Sequence, residues 1–239
     1  MIDLHTHIIP GVDDGARSWE EAVTMCRMAW KDGIKIMVAT PHAFNGLYDY
    51  QSDHILDRMA MLRERLQEEG IELTVLQGAE VYSRPDLPSL LDRNPALTLN
   101  QGGRYFLLEF PHSVIPPNSA ELIFQLKLKN IVPIIAHPER NLRIQENVSV
   151  LEEFVRLGAL CQLTAMSLTG GFGQRARECA NVLLDKGCVH VVASDAHGVK
   201  RRPPILSEAW SYVSDRLGVS RARELFELFP QKVLSGEYK

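Results

Sequence analysis

The chain has 239 residues, of which 45% are hydrophobic and 23% are charged, and its formal net charge is −4. This balance is typical of a globular protein with a large core and gives no reason to expect a nucleic-acid partner. Apolar runs stay far below the 18 or so residues that a membrane span needs, and the N-terminus does not resemble a signal peptide. We therefore expect one domain, residues 1–239, in the cytoplasm and without membrane insertion.

Short apolar runs alternate with longer amphipathic runs along the whole chain. The apolar runs predict strands at 2–9, 34–39, 72–81, 104–110, 132–136, 159–164 and 189–194. The amphipathic runs predict helices at 18–32, 53–69, 87–91, 116–130, 147–157, 173–186, 205–217 and 221–229. The strand runs lack polar alternation, as in parallel strands that are covered on both faces. This order predicts an α/β fold, a distorted TIM-like β/α barrel of about seven strands, with an open doubly wound sheet as the alternative.

Several predicted strands end in residue types that bind metal ions. The candidate ligands are His5, His7, Asp14, His42, Glu80, Glu109, His137, Asp195 and His197. In a β/α barrel the carboxyl ends of all strands face the same side, so these side chains should converge. Each of them alone could be a hydrogen-bonded loop or barrel residue. Burying so many ionisable groups together would be too costly without cations to share them, so the set predicts a metal centre.

The ligand types indicate which ions to expect. Imidazoles and carboxylates without thiolates suit Mn²⁺, Fe²⁺ or Zn²⁺ at a catalytic site. Nine ligands exceed the needs of one ion, so we expect two or three. Such clusters activate water and clamp an in-line displacement at phosphorus. Arg140 and the adjacent pair Arg201 and Arg202 lie close to the ligand loops in sequence, and guanidinium groups suit phosphate oxygens.

The remaining histidines have ordinary structural interpretations. His54 begins a charged helix, where we expect an exposed side chain. His190 lies within a predicted strand as a core or rim residue. His112 follows a strand end, so its side chain could either reach the pocket or occupy an unrelated loop position.

The strand-end motifs HTH, DDG, TPH, GAE, LLEF, HPER and SDAH resemble those of the polymerase and histidinol phosphatase (PHP) superfamily. The opening MIDLHTHIIPGVDDGARSWEEA, with ATPH and AHPERN, is similar to one branch of it, the manganese-dependent bacterial protein-tyrosine phosphatases of capsular and exopolysaccharide loci. The resemblance extends from Met1 to about Pro204. It implies a distorted barrel with a three-ion site and hydrolysis of phosphotyrosine in proteins. The implied substrate is the tyrosine-phosphorylated tail of a membrane-associated autokinase that controls polysaccharide export.

The resemblance also implies how the ligands are shared. One ion would be held by His5, His7, Glu80 and Asp195, a second by Glu80, Glu109 and His137, and a third by Asp14, His42 and His197. Arg140 and Arg202 would hold the substrate phosphate, with Arg201 as the alternative to Arg202. Other PHP branches often carry histidine at the positions of Asp14 and Glu109, so the carboxylates favour the tyrosine-phosphatase branch.

The four cysteines exclude a thiolate mechanism. Cysteine-dependent tyrosine phosphatases need C-x5-R, in which an arginine and backbone amides hold the phosphate around a thiolate. The residues six positions after Cys26, Cys161, Cys179 and Cys188 are Asp32, Ser167, Asp185 and Ser194. We therefore expect buried free thiols. Two hypotheses remain beside a metal-dependent protein phosphatase: a small-molecule phosphatase of the histidinol-phosphate type, and a non-catalytic metal-binding module.

Overall fold

The computed structural model describes residues 1–48 and 50–237, and within them nine strands form two parallel sheets. The strands are β1 (Ile2–Thr6), β2 (Ile36–Ala39), β3 (His42–Ala43), β4 (Thr74–Gln77), β5 (Glu80–Tyr82), β6 (Tyr105–Glu109), β7 (Val132–Ala136), β8 (Leu160–Thr164) and β9 (Val191–Ala193). One sheet has the order β1-β2-β4 and the other β3-β5-β6-β7-β8-β9, and neighbouring strands in both are parallel. The predicted α/β class with parallel strands is therefore confirmed.

Helices follow most of the strands. They are α1 (Trp19–Lys31), α2 (Ser52–Glu68), α3 (Leu87–Arg93), α4 (Ser119–Leu128), α5 (Leu142–Glu146), α6 (Ser149–Leu157), α7 (Ala165–Thr169), α8 (Gln174–Asp185), α9 (Ser207–Leu217), α10 (Val219–Arg223) and α11 (Phe229–Ser235). Among residues 1–48 and 50–237, no helix combines the length and apolar character required to cross a bilayer. The predicted helix 221–229 is divided in the structure, because a π-helical turn at Glu224–Leu228 separates α10 from α11.

The chain bends at two places close to the site, once after the predicted strand 34–39 and once within the predicted strand 72–81. The predicted strand 34–39 ends at β2, and the chain resumes pairing at β3 after Thr40 and Pro41. The predicted strand 72–81 is divided into β4 and β5 by Gly78 and Ala79. A Cβ atom at Gly78 would lie 2.9 Å from Leu99 Cδ2 and 3.1 Å from Val38 Cγ1, so a larger residue at this bend would force buried side chains to move. After the bends, His42 and Glu80 become register partners in the second sheet.

The carboxyl ends of β1 and β9 are also joined. The His7 N–H donates to the carbonyl of Ala196, and the Asp195 N–H donates to the carbonyl of His5, both at 2.9 Å. The strand order follows the chain order through both sheets, without the reversal that marks an open doubly wound sheet. The strand ends from β1 to β9 therefore surround one place in the molecule.

The apolar core has two parts. The larger cluster packs the helices against the strands and includes the buried Phe106 and Phe226. The smaller cluster includes Leu4, Ile134 and Leu160. Leu160 and Gln162 share a face of β8, since side chains alternate along a strand, and Gln162 contacts His5. The smaller cluster thus lies next to the polar strand ends and supports them.

Candidate metal centre

The structure brings all nine candidate ligands together at the strand ends, in overlapping groups that could hold metal ions. His5 lies in β1, His42 in β3, Glu80 at the start of β5 and Glu109 at the end of β6. His137 follows β7, Asp195 and His197 follow β9, and His7 and Asp14 lie in the connection from β1 to α1. The convergence arises because each residue closes a parallel strand or follows one, although the set spans 193 sequence positions from His5 to His197.

His5 and His7 point their Nε2 atoms at each other, 3.1 Å apart. Glu80 Oε2 lies 3.3 Å from His5 Nε2 and 3.4 Å from His7 Nε2. Asp195 Oδ1 lies 3.3 and 3.5 Å from the same two atoms. These four residues are buried, so two nitrogens and two carboxylate oxygens meet out of contact with solvent.

The hydrogen-bond partners of the two imidazoles fix which nitrogen carries the proton. His5 Nδ1 lies 2.9 Å from Gln162 Oε1, and the Gln162 amide nitrogen donates to the carbonyl of Leu163. His7 Nδ1 lies 2.7 Å from Asp13 Oδ2. Because both partners are acceptors, each Nδ1 is the donor, and each Nε2 would present a lone pair to a cation once the imidazole is neutral. Carboxylate and amide partners of this kind orient histidines that bind metals.

Glu80 connects this first group to a second. Its Oε1 lies 2.7 Å from His137 Nε2, and its Oε2 lies 3.0 Å from His42 Nδ1. Glu109 Oε2 lies 3.5 Å from the same His42 nitrogen. His42 therefore joins Glu80 and Glu109 in a possible ligand group, a place that the family resemblance did not give it.

A third group forms around Asp14. Its Oδ1 lies 3.4 Å from His42 Nε2 and 3.6 Å from His197 Nε2. His7 also belongs to this group, and its ring centroid lies 3.8 Å from that of His197. The three residues expected to share one ion are adjacent, and His7 could contribute to two groups.

The donor set fits divalent cations. Ten buried side-chain atoms have no hydrogen-bond partner within the part of the chain that the structure describes, and four of them belong to candidate ligands: His42 Nδ1, Glu80 Oε2, Glu109 Oε2 and Asp195 Oδ1. All four lie in the ligand groups. Leaving such atoms unpaired is costly in a protein interior, and cations placed between them would remove that cost.

The surrounding charges keep the carboxylates ionised. Burial alone would raise the pKa of Asp195, but His5 and Arg202 outweigh it and hold that pKa well below 3.8. Burial likewise acts to raise the pKa of Glu80, and His5 and His137 reverse its effect. Both carboxylates are therefore in the charged form that metal binding requires.

Arg140 and Arg202 meet at the outer oxygen of Asp195. Arg140 Nη1 and Arg202 Nη2 both donate to Asp195 Oδ2, and their side chains are 21% and 22% exposed. The structure thus separates the adjacent arginines, since Arg202 reaches the centre and Arg201 is exposed. The aromatic ring of Phe172 lies 4.5 Å from the guanidinium carbon of Arg140 and 5.6 Å from that of Arg202.

Two candidate ligands have unusual backbone conformations. His137 has φ +36° and Asp195 has φ +53°, in the left-handed region that side chains other than glycine rarely adopt. Such conformations cost about 1–3 kcal/mol each and persist where the surrounding structure enforces them. Here they turn the chain sharply after β7 and β9 and direct both side chains to the centre.

Sequence reasoning missed four supporting residues. They are Asp13, Glu139, Gln162 and Phe172. Two of them could have been found from the sequence: Asp13 because it is adjacent to Asp14, and Gln162 because it is a polar residue inside an apolar strand. Glu139 is fully buried in the turn between His137 and Arg140. Phe172 lies in a glycine-rich segment and carried no signal.

The other histidines lie outside the ligand groups. His54 is exposed at the start of α2, and Arg58 Nε donates to it at 2.9 Å. His190 precedes β9, where its Nδ1 accepts the Cys161 N–H at 3.2 Å. His112 is exposed and lines a cavity of about 70 Å³ with Glu109 and Arg140, so it reaches the rim of the site. All four cysteines are free and buried, as expected.

Comparison with known proteins identifies the family. A family model described as capsular polysaccharide synthesis, CpsB/CapC, matches residues 1–235. The chain belongs to the CpsB/CapC family. The resemblance to the tyrosine phosphatases of capsular loci, expected from the strand-end motifs, is confirmed.

Named tyrosine-protein phosphatases are similar to this chain over most of their length. The tyrosine-protein phosphatase YwqE of Bacillus subtilis is 40% identical over 202 residues, which cover 84% of this chain and 79% of YwqE. The tyrosine-protein phosphatase CpsB of Streptococcus pneumoniae is 30% identical over 98% of both chains. A chain from the crystal structures of YwqE and CpsB, described as metal-dependent tyrosine phosphatases, superimposes with a TM-score of 0.94 and 35% identity, covering 100% of this chain and 96% of that chain.

Proposed function

We propose that this chain is a metal-dependent phosphatase that hydrolyses phosphotyrosine in proteins. The observation that carries the proposal is the meeting of the His5 and His7 Nε2 atoms with Glu80 Oε2 and Asp195 Oδ1 in a buried cage. Similarity to YwqE and CpsB, which are tyrosine-protein phosphatases, supports this substrate class. The chain belongs to a capsular polysaccharide synthesis family. This membership supports, as the phosphorylated partner, a tyrosine autokinase that regulates capsular or exopolysaccharide synthesis. We propose that the reaction takes place in the cytoplasm.

Two or three divalent ions would occupy the centre, with Mn²⁺ first and Fe²⁺ or Zn²⁺ as alternatives. His5, His7, Glu80 and Asp195 would hold one ion. A second ion would be held by Glu80, Glu109 and His137, with His42 close to them. A third ion would be held by Asp14, His42 and His197, with His7 close to them. When bound, such ions supply Lewis-acid charge for the phosphate and a nucleophile from water at neutral pH.

The arginines would bind the substrate phosphate. Arg140 and Arg202 share the outer oxygen of Asp195, which aims both guanidinium groups at one place beside the ligand groups. Guanidinium groups there neutralise the charge that builds on the equatorial oxygens during an in-line displacement. Because tyrosine phenolate, with a pKa near 10, is a tolerable leaving group, the reaction depends less on a strong general acid than alkyl ester hydrolysis does.

We also propose that residues 1–239 form one domain in which the two sheets are halves of a single distorted seven-stranded barrel. In this interpretation β2 with β3 and β4 with β5 are two strands that bend, and the bonds between the ends of β1 and β9 complete the ring. A barrel explains why ligands from both sheets meet at one end.

The decisive experiment follows hydrolysis of a phosphotyrosine peptide after chelation and after Mn²⁺ is restored. We expect the chelated enzyme to be inactive and the restored enzyme to recover. His5→Ala should lose activity even with excess Mn²⁺, whereas His54→Ala, exposed on α2, is the matched control. Histidinol phosphate tested alongside separates the protein phosphatase from a small-molecule enzyme. Full activity in the chelated enzyme would contradict the proposal.

A further inference from the structure

A second cavity opens directly beside the metal centre. Its volume is about 630 Å³. Three of its wall residues, Asp14, His197 and Arg202, belong to the centre. The rest of the wall comes from Arg17, just before α1, from Glu21 in α1 and from the loop 198–201. A peptide whose phosphate reaches Arg202 must therefore pass along or beside this cavity.

Besides Arg202, three cations line the cavity: Arg17, Lys200 and Arg201, here called the cationic pocket. All three are exposed. Within residues 1–48 and 50–237, the ion pairs of the structure include none from these side chains. Because the whole chain carries a net charge of −4, this concentration of positive charge is local and stands beside the site.

Two carboxylates share the cavity, but both are engaged elsewhere. Asp14 Oδ1 faces His42 and His197. Glu21 Oε2 accepts the backbone N–H of Arg17 at 3.0 Å rather than its guanidinium. Glu21 Oε1 also lies against Gly198, where an added Cβ would be 3.1 Å away. The charged ends of the cationic pocket are thus left to solvent or to a ligand.

We infer that the cationic pocket binds a second anionic group of the peptide substrate, a carboxylate or another phosphate near the phosphotyrosine. An extended peptide advances about 3.5 Å per residue. A side chain one or two positions from the phosphotyrosine can therefore reach the wall of this cavity while the phosphate is at the metal centre. Unpaired guanidinium and ammonium groups attract both kinds of anion. This inference rests on the proposed phosphatase function and adds the substrate class that the enzyme prefers.

The test compares three phosphotyrosine peptides of one length, with neutral flanks, with aspartate or glutamate flanks, and with a second phosphotyrosine. The quantity measured is kcat/KM for each anionic peptide divided by kcat/KM for the neutral one, with Mn²⁺ present. We expect the Mn²⁺-loaded enzyme to favour the anionic peptides through a lower KM. The triple variant Arg17→Gln, Lys200→Gln, Arg201→Gln should reduce that ratio about tenfold, as three exposed ion pairs together would predict. Comparing the two anionic peptides distinguishes carboxylate from phosphate.

Three exposed lysines away from the cationic pocket provide a charge-matched control. Lys31, Lys35 and Lys232 are exposed, and Lys35 precedes β2 at the strand end opposite His42. Changing these three lysines to glutamine should leave the ratio as in the wild type. Raising the salt concentration should weaken the preference, since exposed charges are screened. Equal kcat/KM for all peptides, or a preference that survives in the triple variant, would overturn the inference. Inactivity of the wild type on every peptide would instead contradict the phosphatase function itself.

Discussion

The ring of Phe172 lies against the guanidinium of Arg140, with 4.5 Å between the ring centroid and the guanidinium carbon. Arg202 lies 5.6 Å from the same ring. Phe172 is only partly exposed, so one aromatic side chain restricts the two cations that are proposed to bind the phosphate. Phe172 is a positioning residue in this arrangement.

Replacing Phe172 should weaken phosphate binding without affecting the metal centre. We expect Phe172→Ala to lower kcat/KM for an aryl phosphate about tenfold, chiefly through KM, because two cation–π contacts of about 0.5–1 kcal/mol each are lost. Phe172→Trp keeps an aromatic face and should restore most of the activity. Metal analysis should find the wild-type ion content in both variants. An alanine variant with wild-type KM would show that the ring has no such role.

Asp13 should control metal affinity although it belongs to none of the ligand groups. Its Oδ2 accepts the His7 Nδ1 proton at 2.7 Å and the His42 N–H at 3.2 Å. We expect Asp13→Asn to weaken Mn²⁺ binding about 10- to 100-fold, the usual effect of losing such a partner. Calorimetric titration of the metal-free protein with Mn²⁺ measures this affinity. Asp53→Asn, exposed on α2, is the control, and equal affinities in the two variants would refute the prediction.

Glu139 should stabilise the turn that carries Arg140. Its Oε1 accepts the Thr164 N–H at 3.0 Å and the Ser167 hydroxyl at 2.6 Å. Glu139→Ala leaves two buried donors without an acceptor, so the free energy of unfolding should fall by about 1–3 kcal/mol. Ser167→Ala removes only one bond and should cost less. Urea unfolding of the metal-loaded proteins gives both values, and a larger loss in Ser167→Ala would contradict this account.

His190 should make stability depend on pH. Burial, with Arg221 nearby, lowers the pKa of His190 from 6.5 to about 4, and its Nδ1 accepts the Cys161 N–H only while unprotonated. The unfolded chain therefore binds more protons between pH 6.5 and 4, so stability falls as the pH falls through that window. Between pH 7 and 5 the wild type should lose about 1–2 kcal/mol more than His190→Gln.

Urea unfolding at both pH values measures this difference. Comparing wild type with variant cancels the titration of the metal centre, which both proteins share. His54→Gln, from the exposed end of α2, controls for the loss of one imidazole. If His190→Gln and the wild type lose equal stability, the buried imidazole is not the cause.

Sequence alone was sufficient for the order of the main strands and the longer helices and for the residues at the strand ends, but it did not predict the short helices α5 and α7. Apolar runs, helix periodicity and stop signals act over a few residues, so they can be read without knowing the fold. The convergence of nine strand-end residues also follows from sequence, because parallel strands in one barrel end on the same side. The bends at Thr40–Pro41 and Gly78–Ala79 could not be read in this way, since they depend on contacts with distant residues such as Leu99.

Only the tertiary structure decided which side chains face each other. It placed Glu80 among His5, His42 and His137, and it chose Arg202 over the adjacent Arg201 for the contact with Asp195. It also brought Phe172, from the segment between α7 and α8, against both arginines. Residue type and spacing give the chemistry that is available at each strand end. The direction of each side chain depends on strand register, on the left-handed turns at His137 and Asp195, and on packing between segments far apart in sequence.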